Sequence, residues 1–78
     1  MADIGSDLWF DKAKLRTLRR RAGMSQQMVS EKAQISAPHM SAIEAGRRLP
    51  SEPVAARIAD AIGVSLEQLM ADPEQAAS

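Results

Sequence analysis

With 78 residues and no cysteine, the chain has room for one domain and cannot be held by disulfides or thiolate metal sites. Lone His39 has no carboxylate partners at metal-binding spacing, no apolar run reaches membrane-spanning length, and the N-terminus lacks a basic-then-apolar signal; no cofactor, metal or membrane is expected, and the protein reads as cytoplasmic. The zero net charge hides a basic middle: across residues 12–48, Lys12, Lys14, Arg16, Arg19, Arg20, Arg21, Lys32, Arg47 and Arg48 are set against Glu31 and Glu44 alone, whereas both ends are acidic.

A polyanion is drawn to that middle segment, although a solvated basic helix accounts for it equally. A domain this small has a thin core, and with disulfides and metal excluded, oligomerisation is the remaining aid.

Five segments start alike, with an apolar residue before a polar cap and a second apolar residue one turn into the helix. This is a hydrophobic staple around an N-cap. In chain order the sets are Phe10, Asp11 and Leu15; Met24, Ser25 and Val29; Ile35, Ser36 and Met40; Leu49, Ser51 and Ala55; and Val64, Ser65 and Leu69. Pro50 loosens the fourth set, and Gln68 completes a capping box with Ser65 in the fifth. Gly23, Gly46 and Gly63 stop the first, third and fourth helices, and Pro73 closes the fifth. Pro38 and Pro53 fall in first turns, where no intrahelical N–H bond is lost.

No segment alternates like a strand, so the fold reads as all-α, a compact five-helix domain. Its core is expected from Leu15, Leu18 and Ala22; Val29 and Ala33; Met40 and Ile43; Ala55, Ile58, Ala59 and Ile62; and Leu66 and Leu69, at helical spacings. The domain spans 8–72, with flexible segments at 1–7 and 73–78.

Only Gln34 and Ile35 separate the second helix from the cap of the third. So short a link forces a sharp angle, as in a helix-turn-helix, where the first helix crosses the DNA backbone and the second enters the major groove. Ser25-Gln26, Ile35-Ser36, Ile43-Glu44, Gly46, Arg48, Pro50, Ala59, Ala61 to Leu66, and Leu69 stand in an order and spacing that resemble the lambda-repressor-like (Cro/XRE-type) helix-turn-helix family, from about Leu15 to Leu69.

The resemblance implies a compact five-helix DNA-binding domain acting as a transcriptional regulator, a repressor in the first instance. It implies phosphate contacts at Gln26, where a helix N-terminus offers free N–H donors, with a plain polar first-turn residue as the alternative, and at Ser36, whose first task is capping. Arg47 and Arg48, after the third helix, match backbone-contacting positions, although complementing a helix C-terminus also accounts for them. Arg16, Arg20 and Arg21 can reach phosphate or simply form a solvated face. Arg19 and Glu44 match positions that form a partly buried ion pair in some members; two independent surface charges are the alternative.

The base-facing positions match Ala37, Pro38, His39 and Ala42, with Ser41 beside them, which departs from the polar set usual there. The alanines and Pro38 offer apolar contact, most naturally to thymine methyls. His39 can bond guanine N7 or a phosphate, or stand as an exposed ring. Direct readout is therefore expected to be poor, with DNA shape carrying part of the preference. Two further departures are Ser30 in place of a close-packing alanine and Gln34 in place of the turn glycine; the latter costs roughly 1 kcal/mol.

A homodimer is implied, placing two recognition helices about 34 Å apart. Leu66, Met70 and Trp9 are its candidates, with ordinary core roles as the alternative. With no cysteine, one histidine, no glycine-rich phosphate loop and no carboxylate pair in an evident cleft, an enzyme is not expected. The rival reading is a protein-interaction module on the same fold, such as an antitoxin or a phage-regulator partner.

Overall fold

The computed structural model describes residues 9–72; the segments 1–7 and 73–78, expected to be flexible, lie outside them, and Pro73 with them. Four α-helices follow in order: α1 (Lys12–Arg21), α2 (Gln26–Ala33), α3 (Ala37–Ala45) and α4 (Glu52–Ile62). A short 3-10 turn, Leu66–Leu69, closes the sequence of elements. Each α-helix begins where a short polar side chain takes up a free backbone N–H. Asp11 accepts from Ala13, Ser25 from Met28, Ser36 from His39 and Ser51 from Val54.

The fifth predicted helix needs correction: it is a single 3-10 turn of four residues. Gln68 Oε1 accepts from the Ser65 N–H at 2.9 Å, so the local start signal operates. The chain beyond is then drawn into extended pairing with the segment before α1. Asp11 N–H donates to the Leu69 carbonyl and Ala71 N–H to the Trp9 carbonyl, both at 2.8 Å, with Phe10 opposite Met70. Backbone donors satisfied across this short antiparallel bridge are not available to extend a helix.

Leu15, Val29, Ala33, Met40, Ile43, Ala55, Ile58, Ala59 and Leu69 form the buried core, with Phe10 packed beneath the bridge. Leu18, Ile62 and Leu66 are half-buried around it. Ala22, expected in the core, is exposed: it is the C-cap of α1, where the helix has already ended. Trp9 is half-buried and meets Phe10 edge-on, with ring centroids 5.6 Å apart. No described helix is long and apolar enough to cross a membrane.

Candidate nucleic-acid interface

The link between α2 and α3 is set by one backbone conformation. Gln34 takes the left-handed region, φ 62° and ψ 44°, and is the C-cap of α2. The Gln34 and Ile35 N–H groups return to the Glu31 and Ser30 carbonyls, closing the helix end. Ile35 then turns its side chain toward the core, and Ser36 opens α3 two residues after α2 has stopped. Ser30 is buried at this corner and donates its hydroxyl to the Gln27 carbonyl at 2.8 Å, so it leaves no unsatisfied group. On the far side, Arg57 of α4 donates from Nε to the Ala33 carbonyl at 2.9 Å and takes up one of the last acceptors of α2.

α3 has two faces. Met40, Ile43 and Glu44 point inward and are buried. Ala37 and Pro38 are exposed, and Ser41 and Ala42, one turn later, are partly so. Residues three and four apart lie together on a helix, so these four form one outward patch at the start of α3. His39 is half-buried on its flank. The patch is small and mostly apolar, with the Ser41 hydroxyl its main polar side-chain group.

The inward face carries an ionic seam. Glu44 is only 2% exposed, and its carboxylate accepts from Arg19 Nε at 2.6 Å and Arg19 Nη2 at 2.9 Å. Gln26 Nε2 donates to the same carboxylate at 2.8 Å, and half-exposed Arg16 stands at 3.6 Å. Arg19 also donates from Nη1 to the Met24 carbonyl at 2.8 Å, in the link between α1 and α2. One carboxylate on α3 is therefore bound to α1 and to the first turn of α2.

Burial pushes the Glu44 pKa up, but hydrogen bonds from Arg19 and Gln26, with the charges of Arg19 and Arg16, more than offset it and leave the group below its ordinary value. The Arg19 pKa is raised, chiefly by its hydrogen bond to Glu44; burial opposes the rise and the Glu44 charge adds to it. Among the described residues, no buried side-chain polar atom lacks a hydrogen-bond partner.

The cations split into two groups. Arg19 is consumed internally, and Lys14 donates to the Met70 carbonyl at 2.8 Å and faces Asp72 at 3.7 Å. Arg20, Arg21, Arg47 and Arg48 are exposed. The backbone of Arg47 and Arg48 folds back on the Ala42 carbonyl, which fixes their loop at the end of α3. Lys12 lies across Gly46: a Cβ there would stand 3.0 Å from its Cδ, and the residue has φ 83°. Lys12 and Arg16 thus lie beside the α3 C-terminus and the Arg47-Arg48 loop, forming a basic edge.

Sequence reasoning missed three of these contacts: Gln26 to Glu44, Lys14 to Met70 and Arg57 to Ala33. Each joins residues at least 18 positions apart, with no local signal. The dimer candidates Trp9 and Met70 lie at the bridge, Met70 37% exposed, and half-buried Leu66 packs against the core.

Two short helices at a tight turn, the second with an outward patch at its start and a basic edge at its end, define a class of nucleic-acid-binding domain. Residues 13–71 match the model of a helix-turn-helix domain family, and the chain belongs to that family. The family makes DNA the partner for which this arrangement is built. No curated protein matches the chain.

Proposed function

We propose that the protein is a small transcriptional regulator of the lambda-repressor-like kind, a cytoplasmic repressor that binds double-stranded DNA as a homodimer and catalyses no reaction. α2 sits on the backbone through Gln26 and the helix N-terminus. α3 enters the major groove by Ala37, Pro38, His39, Ser41 and Ala42. Ser36, Arg16, Arg20, Arg47 and Arg48 hold phosphates. The observation that carries this reading is the Glu44 seam, which fixes the first turn of α2 against α3 while the start of α3 stays outward. Gln26 Nε2 uses one hydrogen on Glu44; the second remains for a phosphate oxygen.

The outward patch has few groups able to pair with base edges, so specificity comes from thymine methyl contact and DNA shape. The same small apolar patch also suits a protein partner, which is the second reading. A gel-shift titration at two salt concentrations separates them, with DNA upstream of the protein's own gene and a shuffled duplex as probes. Tighter, salt-sensitive binding to the upstream DNA supports the regulator. Equally weak binding to both favours the protein partner.

A further inference from the structure

Three cations of α1 form one stripe along the helix, and they differ in what they hold. Lys12, Arg16 and Arg19 stand at positions i, i+4 and i+7. Arg19 is buried and bonded to Glu44 through Nε and Nη2. Arg16 is half-exposed, 3.6 Å from the same carboxylate. Lys12 is exposed, and among the described residues its ammonium makes no hydrogen bond and no ion pair. We propose that Lys12 is a further DNA-phosphate contact, its stem laid over Gly46 and its ammonium presented beside the Arg47-Arg48 loop. The inference rests on the DNA-binding reading and adds one contact to it.

The stem is held in place. Gly46 has no side chain, and a Cβ built there would stand 3.0 Å from Lys12 Cδ, 3.1 Å from Cε and 3.2 Å from Nζ. Fixing a lysine head on a ligand costs rotamer freedom, and a stem already lying against backbone has lost part of that freedom in advance.

The ammonium is not required by either helix it touches. As the first residue of α1, Lys12 opposes the dipole of its own helix. At the end of α3, the Ala42 and Ile43 carbonyls already accept from the Gly46, Arg47 and Arg48 N–H groups. That helix end is closed by backbone, and the Lys12 charge is left for another partner.

The position is the right one for a phosphate. The same backbone bonds hold Arg47 and Arg48 directly after Gly46, so a DNA strand that meets their side chains passes the Lys12 ammonium. Lys14 makes the contrast: two positions further on it lies on another side of α1, engaged with Met70 and Asp72.

The test is the salt dependence of binding to the upstream duplex, with a thermal melt of each chain beside it. K12Q should reduce the slope of log affinity against log salt by about one, so that its affinity falls roughly 3- to 4-fold less than wild type between 50 and 200 mM salt. K12R, which keeps the charge, should retain the wild-type slope. K14Q removes the same charge from the same turn and should leave the slope near wild type. An unchanged slope in folded K12Q overturns the proposal, and so does an equal reduction in K12Q and K14Q, which would report net charge alone. Arg47→Ala separates this failure from that of the DNA-binding reading. A reduced slope in R47A with none in K12Q removes Lys12 by itself, whereas no salt-dependent binding by the wild-type chain removes both.

Discussion

The two faces of α3 use their residues in opposite ways. The inner face has the strongest polar chemistry in the described molecule, with Glu44 bonded to Arg19 and Gln26 and approached by Arg16. The outer face, which the proposed function turns toward DNA, has Ala37, Pro38, Ser41 and Ala42 and almost no directional groups. The contrast teaches that charge in this domain serves to orient the helix, and that the helix then presents shape and methyl groups. A buried ion pair adds little stability compared with an apolar replacement, but breaking it is expensive, which suits an orienting role.

The largest expected effect follows from breaking the inner face. Arg19→Ala removes the two shortest-range charged donors of a carboxylate that is 2% exposed, leaving it Gln26 and the more distant Arg16, and it should destabilise the fold by about 3 kcal/mol in chemical denaturation. DNA affinity should fall with it. An unchanged melting temperature together with unchanged affinity would remove the seam from the account.

The pH dependence sharpens the same point. Folding lowers the Glu44 pKa, so its stabilisation is fully present above the unfolded-state value and lost as pH falls through the lower folded one. Acid denaturation of the wild-type chain should show this loss. Glu44→Gln should flatten that part of the profile, at reduced stability near neutral pH. An identical acid limb in both chains would show that Glu44 does not contribute it.

On the outer side, Arg47→Ala and Arg48→Ala should each reduce the slope of log affinity against log salt by about one, with little change in stability. A residue that leaves the slope unchanged is not on a phosphate. The smallest effect concerns the turn that sets the two faces. Gln34 has φ 62°, so Gln34→Gly should stabilise by about 0.5–1 kcal/mol, measured as a raised denaturation midpoint. A loss of stability instead would mean that the Gln34 side chain contributes more than its backbone costs.

The helix starts were legible because capping is local: Asp11, Ser25, Ser36 and Ser51 each act within three residues of their own position. The same signal misled at Ser65, since a cap specifies a start and not a length. What followed was decided by Trp9 and Asp11, more than fifty residues away in sequence. Ala22 shows the same limit: its spacing continues the apolar stripe of α1, yet it is the exposed C-cap of that helix. At the candidate site, the outward position of α3 could be read from periodicity. The contact of Gln26 with Glu44, and the diversion of Lys14 to Met70 and Asp72, depend on how whole helices pack.

Whether the start of α3 meets DNA is tested most directly by a negative charge placed on the outer face without harming the helix. Ala37 is exposed and opens the first turn of α3, where an acidic side chain favours the helix dipole. Fluorescence anisotropy titration of Ala37→Glu against the upstream duplex, beside a thermal melt, gives both quantities. A37E should lose DNA affinity at least about tenfold with the melting temperature unchanged or raised, since like charges face each other across the groove. Unchanged affinity in a folded A37E chain would contradict it, because the start of α3 would then not be the surface that meets DNA.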